Sequence, residues 1–211
     1  MIKKIKDYEQ DLNLKSEQAK FDYQRKIQDF NLYTTNKHKS YIEFYEQLLK
    51  ANGYVTSLTG LINIPTFEEY NKNDLSTYLQ KRKIPEGKIN DILLMWDKDK
   101  ELAKKEIFKY DHLYNINSAR NALQEAHNMY WKSQLYFSDG VINKSKTIID
   151  NLWKIQVHEE MYLQPNIADG FRESSIIKKI QTIRAELPDK LDVLIRDMKT
   201  ELSIGYYKDN P

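Results

Sequence analysis

The feature that most constrains this chain is a stretch without proline or glycine between Ile5 and Ala51. Apolar residues recur along it three or four positions apart, which places them on one face of an α-helix. They are Ile5, Leu12, Ala19, Tyr23, Ile27, Phe30, Tyr41, Phe44 and Leu48. Because each helical residue adds about 1.5 Å, the stretch predicts one amphipathic helix about 70 Å long.

So long a helix exceeds the body of a small domain, and its apolar stripe needs a partner surface in water. The heptad-like spacing slips between Ala19 and Ile27, a stutter that loosens a supercoil without ending it. We therefore expect the helix to project and to pair in a coiled coil with a second copy of the chain, giving a homo-oligomer. The predicted interface residues are Ile27, Phe30, Tyr41, Phe44 and Leu48.

Residues 1–60 are thus predicted as the long helix, which Gly53 is expected to end or break. Residues 61–84 are predicted as a connector with one short helix. Thr66 and Glu69 stand in capping-box spacing there, and a short helix is predicted from Asn73 to Leu79.

A helical bundle is predicted for residues 85–204 and a loose tail for residues 205–211. Pro85 suits the first turn of a helix whose stripe reaches Tyr114 and continues toward Phe137, either unbroken or after a bend near Asn115.

Two further bundle helices are predicted from their ends. Ser138 caps the first, which the sequence Gln164-Pro165-Asn166 closes. The second starts near Ser174 and contains Pro188, which predicts a kink or a junction of two helices.

The composition is typical of an all-α fold and excludes several classes of site. Charged residues make up 30% of the chain, and its 6 glycines stand singly, so no glycine-rich phosphate loop is present. With no cysteine, the chain has neither disulfides nor a thiolate nucleophile. Asp97 to Glu101 lacks the glycine of a calcium loop, and His158-Glu159 lacks the second histidine of a zinc protease helix. We therefore expect no metal and no cofactor.

The formal net charge of +2 comes from interleaved acidic and basic residues, which is typical of a solvated helical surface. No apolar run approaches the roughly 20 residues of a membrane span, and the start of the chain turns acidic at Asp7. These features predict a cytoplasmic protein without a membrane partner. The bias toward Lys, Asn, Ile and Tyr is typical of low-GC bacterial or phage genes.

One short motif points to chemistry. Arg120 is followed directly by Asn121 and, after six intervening residues, by His127. Seven positions along a helix place Arg120 and His127 on one face about 10 Å apart. The pattern resembles the signature of the HEPN family of all-α bundles, many of which are metal-independent RNases.

The resemblance implies an RNase whose composite site forms where two chains meet, in a toxin or phage-defence role. In that role Arg120 would bind phosphate oxygens and His127 would transfer protons. Our first hypothesis is nevertheless a non-enzymatic interaction protein that oligomerises through its N-terminal helix, and the RNase is the alternative. A third, an RNA or DNA scaffold without catalysis, would bind nucleic acid with a steep salt dependence.

Overall fold

A computed structural model describes residues 2–58, 65–161 and 174–203, with only the backbone described for residues 2–9 and 174. Within these ranges the chain forms six helices and no strand. They are α1 Ile2–Ser57, α2 Lys72–Lys81, α3 Glu86–Lys98, α4 Lys100–Ser133, α5 Asp139–Met161 and α6 Ser174–Ser203. The predicted all-α fold, with a long N-terminal helix followed by a helical bundle, is confirmed.

The second half of α1 lies inside the bundle. The side chains of Tyr41, Phe44 and Leu48 are 1% exposed or less and pack in a core shared with α4, α5 and α6. The prediction that these three residues form an interface between copies is therefore wrong, because this chain's own helices already cover them. Of the predicted interface, Ile27 and Phe30 remain uncovered.

Helix α1 also continues through Gly53, contrary to the predicted break. A glycine inside a helix costs about 1 kcal/mol relative to alanine. Ala51 and Val55, on either side of it, are fully buried against the bundle. Their burial offsets that cost, so the helix ends only at Ser57.

A second hydrophobic cluster joins α2, α3 and the first part of α4. Its buried members are Phe67, Leu75, Leu79, Ile84, Ile89, Ile92, Trp96, Ala103 and Ile107. The predicted boundary between connector and bundle at residue 85 falls inside this cluster. The segment predicted as a connector therefore contributes a hydrophobic core.

Two predicted helix boundaries are corrected. The capping box before α2 is formed by Asn71 and Asp74, and no helix begins at Thr66. The Asn71 side chain accepts hydrogen bonds from the backbone N–H groups of Asn73 and Asp74 at 2.8 and 3.0 Å. The break in the predicted stripe lies at Asp99, whose side chain caps α4, whereas Asn115 lies within α4.

The remaining helix ends follow the sequence more closely. Ser138 caps α5 through an Oγ that accepts a 3.3 Å hydrogen bond from the N–H of Val141. Helix α6 runs as one helix with Pro188 inside it. The predicted closing sequence Gln164-Pro165-Asn166 and the predicted tail 205–211 lie outside the described residues. Among the described helices, none is both long and apolar enough to cross a membrane.

Candidate functional site

The first half of α1 carries an apolar stripe that no other part of the described chain covers. Leu12, Tyr23, Ile27 and Phe30 are 50, 66, 42 and 68% exposed. Phe30 and Tyr41 are eleven positions apart, close to three helical turns, so this stripe lies on the same face as the buried one. A single face of α1 is therefore core at one end and open at the other.

The apolar face of α1 changes from solvent-exposed to covered by the bundle near Tyr33. Its ring lies 5.6 Å from that of Tyr136, in the turn after α4. About two turns further along α1, the hydroxyl of Ser133 donates a 3.5 Å hydrogen bond to the carbonyl of Ser40. Beyond this point the bundle covers the face, which fixes the length of the open stripe.

A network of hydrogen bonds holds α1 where it enters the bundle. Glu201, near the end of α6, accepts hydrogen bonds from the hydroxyls of Tyr41 and Ser138. Burial, together with the nearby Glu201 carboxylate, raises the pKa of Tyr41. The neutral tyrosine therefore donates to Glu201 and joins α1 to α6, and the same carboxylate joins α6 to Ser138 at the start of α5.

The Arg120 side chain is directed to α5 by an ion pair with Glu160. The hydrogen bond from Arg120 lowers the pKa of Glu160, which also accepts a 3.1 Å hydrogen bond from Gln156. Asn121, the next residue of the motif, is exposed. A phosphate group at Arg120 would compete with the Glu160 carboxylate for the guanidinium.

The other motif residue, His127, has a partner on its own helix. Its Nε2 accepts a 3.0 Å hydrogen bond from the indole N–H of Trp131. The ring also lies parallel to that of Tyr130, with centroids 6.4 Å apart. Arg120 and His127 share a face of α4 as predicted, but in the described part of the chain each contacts a different residue.

A buried polar cluster joins α2 to α4, and sequence analysis did not predict it. Asp111 is 1% exposed and accepts a 2.6 Å hydrogen bond from the hydroxyl of Tyr78. The Nε of Arg82 lies 3.1 Å from the other Asp111 oxygen, as an ion pair without aligned hydrogen-bond geometry. Burial raises the pKa of Asp111, although Tyr78 and Arg82 act in the opposite direction.

The signal for this cluster was present in the sequence. Asp111 follows Ile107 by four positions and precedes Tyr114 by three, so it occupies an apolar position of the α4 stripe. A carboxylate at such a position needs a buried cation or donor. Its partner could not be identified from the sequence, because Arg82 lies in the turn after α2, far from Asp111 along the chain.

Among the described residues, no group of three or more acidic or histidine side chains could hold a metal ion. Comparison of the chain with protein families, with curated proteins and with solved structures finds no match. The candidate site is therefore defined by geometry alone. It is the open stripe of α1 formed by Leu12, Ala19, Tyr23, Ile27 and Phe30.

Proposed function

We propose that this chain is a helical interaction protein of bacterial or phage origin that oligomerises in the cytoplasm through the open stripe of α1. The observation that supports the proposal is the continuity of one face of α1 from the core at Tyr41 to the exposed Phe30. Burying an apolar side chain contributes about 1.5 to 3 kcal/mol, so covering the stripe favours association. The function is contact between helices, and it requires no catalytic group.

The chain itself is the simplest partner. A stripe with steps of three and four residues matches another copy of itself in a coiled coil. The rest of the exposed half of α1 is mostly polar, as expected for a helix with one contact face. A smaller apolar set on the opposite side, Leu14, Phe21 and Leu32, offers a natural control surface.

The test replaces one stripe residue and one residue of the opposite side. Phe30 is 68% and Leu32 is 63% exposed, so glutamate at either position leaves the folded core intact. We expect Phe30→Glu to lower the sedimentation mass from oligomer to monomer and Leu32→Glu to leave it unchanged. A wild-type chain that sediments as a monomer at high concentration would contradict the proposal.

The second proposal, a metal-independent RNase of the HEPN type, is supported by the Arg120 and His127 motif on one face of α4. In that role Arg120, which pairs with Glu160, would also bind a phosphate. If Nε2 of His127 transfers the proton, it would have to leave the indole of Trp131.

A further inference from the structure

We propose that α1 pairs with α1 of a second copy in antiparallel orientation, about a two-fold axis that passes the helix between Gln18 and Ala19. This inference rests on the proposed function, because it gives the geometry of the same contact. Three features support it: the order of charges beside the open stripe, the residues of the stripe itself, and the position of the bundle.

One flank of the stripe carries charges of alternating sign. Asp11, Lys15, Asp22 and Lys26 are all exposed and follow one another at steps of four, seven and four residues. Within one helix Lys15 already forms an exposed ion pair with Asp11 at 2.7 Å, and both groups stay open to a second partner. These steps keep the four side chains within about 60° around the helix. Read from the N-terminal end, the flank is negative, positive, negative, positive.

In an antiparallel pair, each flank faces the same flank of the other helix in reverse order. The proposed axis then places Asp11 opposite Lys26 of the second copy, and Lys15 opposite Asp22 of the second copy. The two-fold symmetry repeats both pairs. The alternating order therefore becomes four pairs of opposite charge, with no like charges opposed.

The other flank fits the same axis. Glu17 lies opposite Lys20 of the second copy, and the uncharged Asn13 lies opposite the uncharged Gln24. Asp29 continues the first flank and would face the first nine residues of the second copy, which lie outside the described side chains. One register thus matches the charges on both sides of the stripe.

The stripe residues interdigitate in this register. Leu12 lies between Tyr23 and Ile27 of the second copy, while the small Ala19 lies beside the axis and allows the helices to approach. Leu12, Tyr23 and Ile27 are therefore buried at both ends of the contact.

A parallel, in-register pair is less favourable in charge and in space. It would bring Lys15 close to Lys20 of the second copy. It would also place both bundles at the same end, where each covers its own α1 on the face that the other helix would occupy. The antiparallel pair separates the bundles, with the two Tyr33 residues about 45 Å apart along the helix axis.

Disulfide formation tests the orientation, because the natural chain has no cysteine. Leu12→Cys and Tyr23→Cys proteins are mixed, allowed to exchange and oxidised; Ala19→Cys is oxidised alone. A disulfide requires Cα atoms within about 7 Å. We expect a mixed Leu12–Tyr23 disulfide and an Ala19 homodimer. Two Leu12→Cys chains should not react with each other, since about 20 Å separates them.

The outcomes distinguish this inference from the proposed function. Disulfides between two Leu12→Cys chains, without the mixed product, would show a parallel pair and overturn the orientation while leaving oligomerisation intact. Absence of every product, including the Ala19 homodimer, together with a monomeric sedimentation mass, would overturn both.

Charge reversal gives a second readout that leaves the stripe unchanged. Lys15→Glu places a glutamate opposite Asp22 and should raise the dissociation constant about tenfold. Adding Asp22→Lys to the same chain should restore it, and Arg25→Glu, on the outer side of the helix, should change it little. Unchanged or tighter association of Lys15→Glu, at equal helix content by circular dichroism, would overturn the antiparallel register.

Discussion

The hydroxyl of Tyr78 donates a 2.6 Å hydrogen bond to Asp111, a carboxylate on α4 that is only 1% exposed. The guanidinium of Arg82 completes the contact and lies over the rings of Tyr78 and Tyr114, at 5.3 and 5.0 Å. The end of α2 is thus joined to the middle of α4 by charge and hydrogen bonding, in addition to apolar packing. The cluster makes the α2 segment part of the fold.

Removing the cation Arg82 from this cluster should lower the free energy of unfolding more than neutralising the carboxylate of Asp111. Arg82→Met leaves Asp111 buried without its cation and should lower the free energy of unfolding by about 3 kcal/mol. Asp111→Asn keeps an acceptor for Tyr78 and should cost about 1 to 2 kcal/mol, because Arg82 still reaches solvent. Urea unfolding of the two variants measures the difference.

The matched control is Lys72, whose ion pair with Asp97 joins α2 to α3 at the surface. Both side chains are about half exposed. Lys72→Met should therefore change the free energy of unfolding by no more than about 0.5 kcal/mol. Equal effects of Arg82→Met and Lys72→Met would contradict the assigned role of the buried pair.

The same cluster should be sensitive to alkaline pH. Burial and the hydrogen bond to Asp111 raise the pKa of Tyr78 from 10.0 to about 12. Between pH 10 and 12 the unfolded chain loses the phenolic proton of Tyr78 while the folded chain keeps it. The contribution of Tyr78 to the free energy of unfolding is therefore complete below pH 10 and is lost as the pH rises through 12.

Comparison with Tyr78→Phe isolates this effect from that of the lysines. Over this pH range, the free energy of unfolding should fall more steeply for the wild-type chain than for Tyr78→Phe. Parallel curves for the two proteins would show that Tyr78 does not carry the raised pKa.

The long helix illustrates what the sequence could and could not predict. The spacing of apolar residues predicted a stripe from Ile5 to Leu48, and the structure places its described side chains, from Leu12 onward, on one face. The same spacing holds on both sides of Tyr33, so no local pattern marked where the chain's own bundle begins to cover it. Burial of Tyr41 and Phe44 depends on α4, α5 and α6, which lie far away in sequence.

Helix ends were predictable where a side chain caps the backbone in a familiar pattern, as at Ser138. At Asp99 the capping residue was hidden among the charges from Asp97 to Glu101, which sequence analysis considered only as a possible calcium loop. In the candidate site, the sequence identified Ile27 and Phe30. The sequence alone could not show which charges of α1 lie opposite each other, because this pairing depends on the orientation of α1 in a second copy.

Lys83 lies in a conformation that favours glycine. Its φ is 56°, and it follows α2 at the position where a helix turns into the left-handed region. The N–H groups of Lys83 and Ile84 bond to the carbonyls of Gln80 and Leu79 at 2.9 and 3.2 Å, which defines a Schellman motif.

Glycine meets no steric penalty at this position, so Lys83→Gly should raise the free energy of unfolding by about 0.5 to 1 kcal/mol. Lys81→Gly, at the last residue of α2, should lower the free energy of unfolding by about 0.5 to 1 kcal/mol. Thermal and urea unfolding of both variants test whether the two changes in the free energy of unfolding have opposite signs. A lower stability of Lys83→Gly would contradict the claim that the positive φ of Lys83 strains the backbone.

Gly53 presents the reverse case, a glycine in a helix that does not require one. A Cβ added there would meet no atom within 4 Å. Gly53→Ala should therefore stabilise the chain by about 0.5 to 1 kcal/mol, because alanine restricts the unfolded chain and favours the helix. Urea unfolding measures the change, and a destabilised variant would indicate that α1 bends at Gly53 in solution.

The last prediction concerns the Arg120 motif and separates the two proposed functions. Purified protein incubated with total RNA in EDTA should leave the RNA intact if the chain acts through helix contacts alone. Glu160→Gln, which removes the charge that pairs with Arg120, should also leave it intact. His127→Ala, at equal helix content, is the control for any contaminating nuclease. RNA cleavage that is present in the wild-type chain and lost in His127→Ala would instead favour the RNase, since it would tie the activity to the His127 side chain.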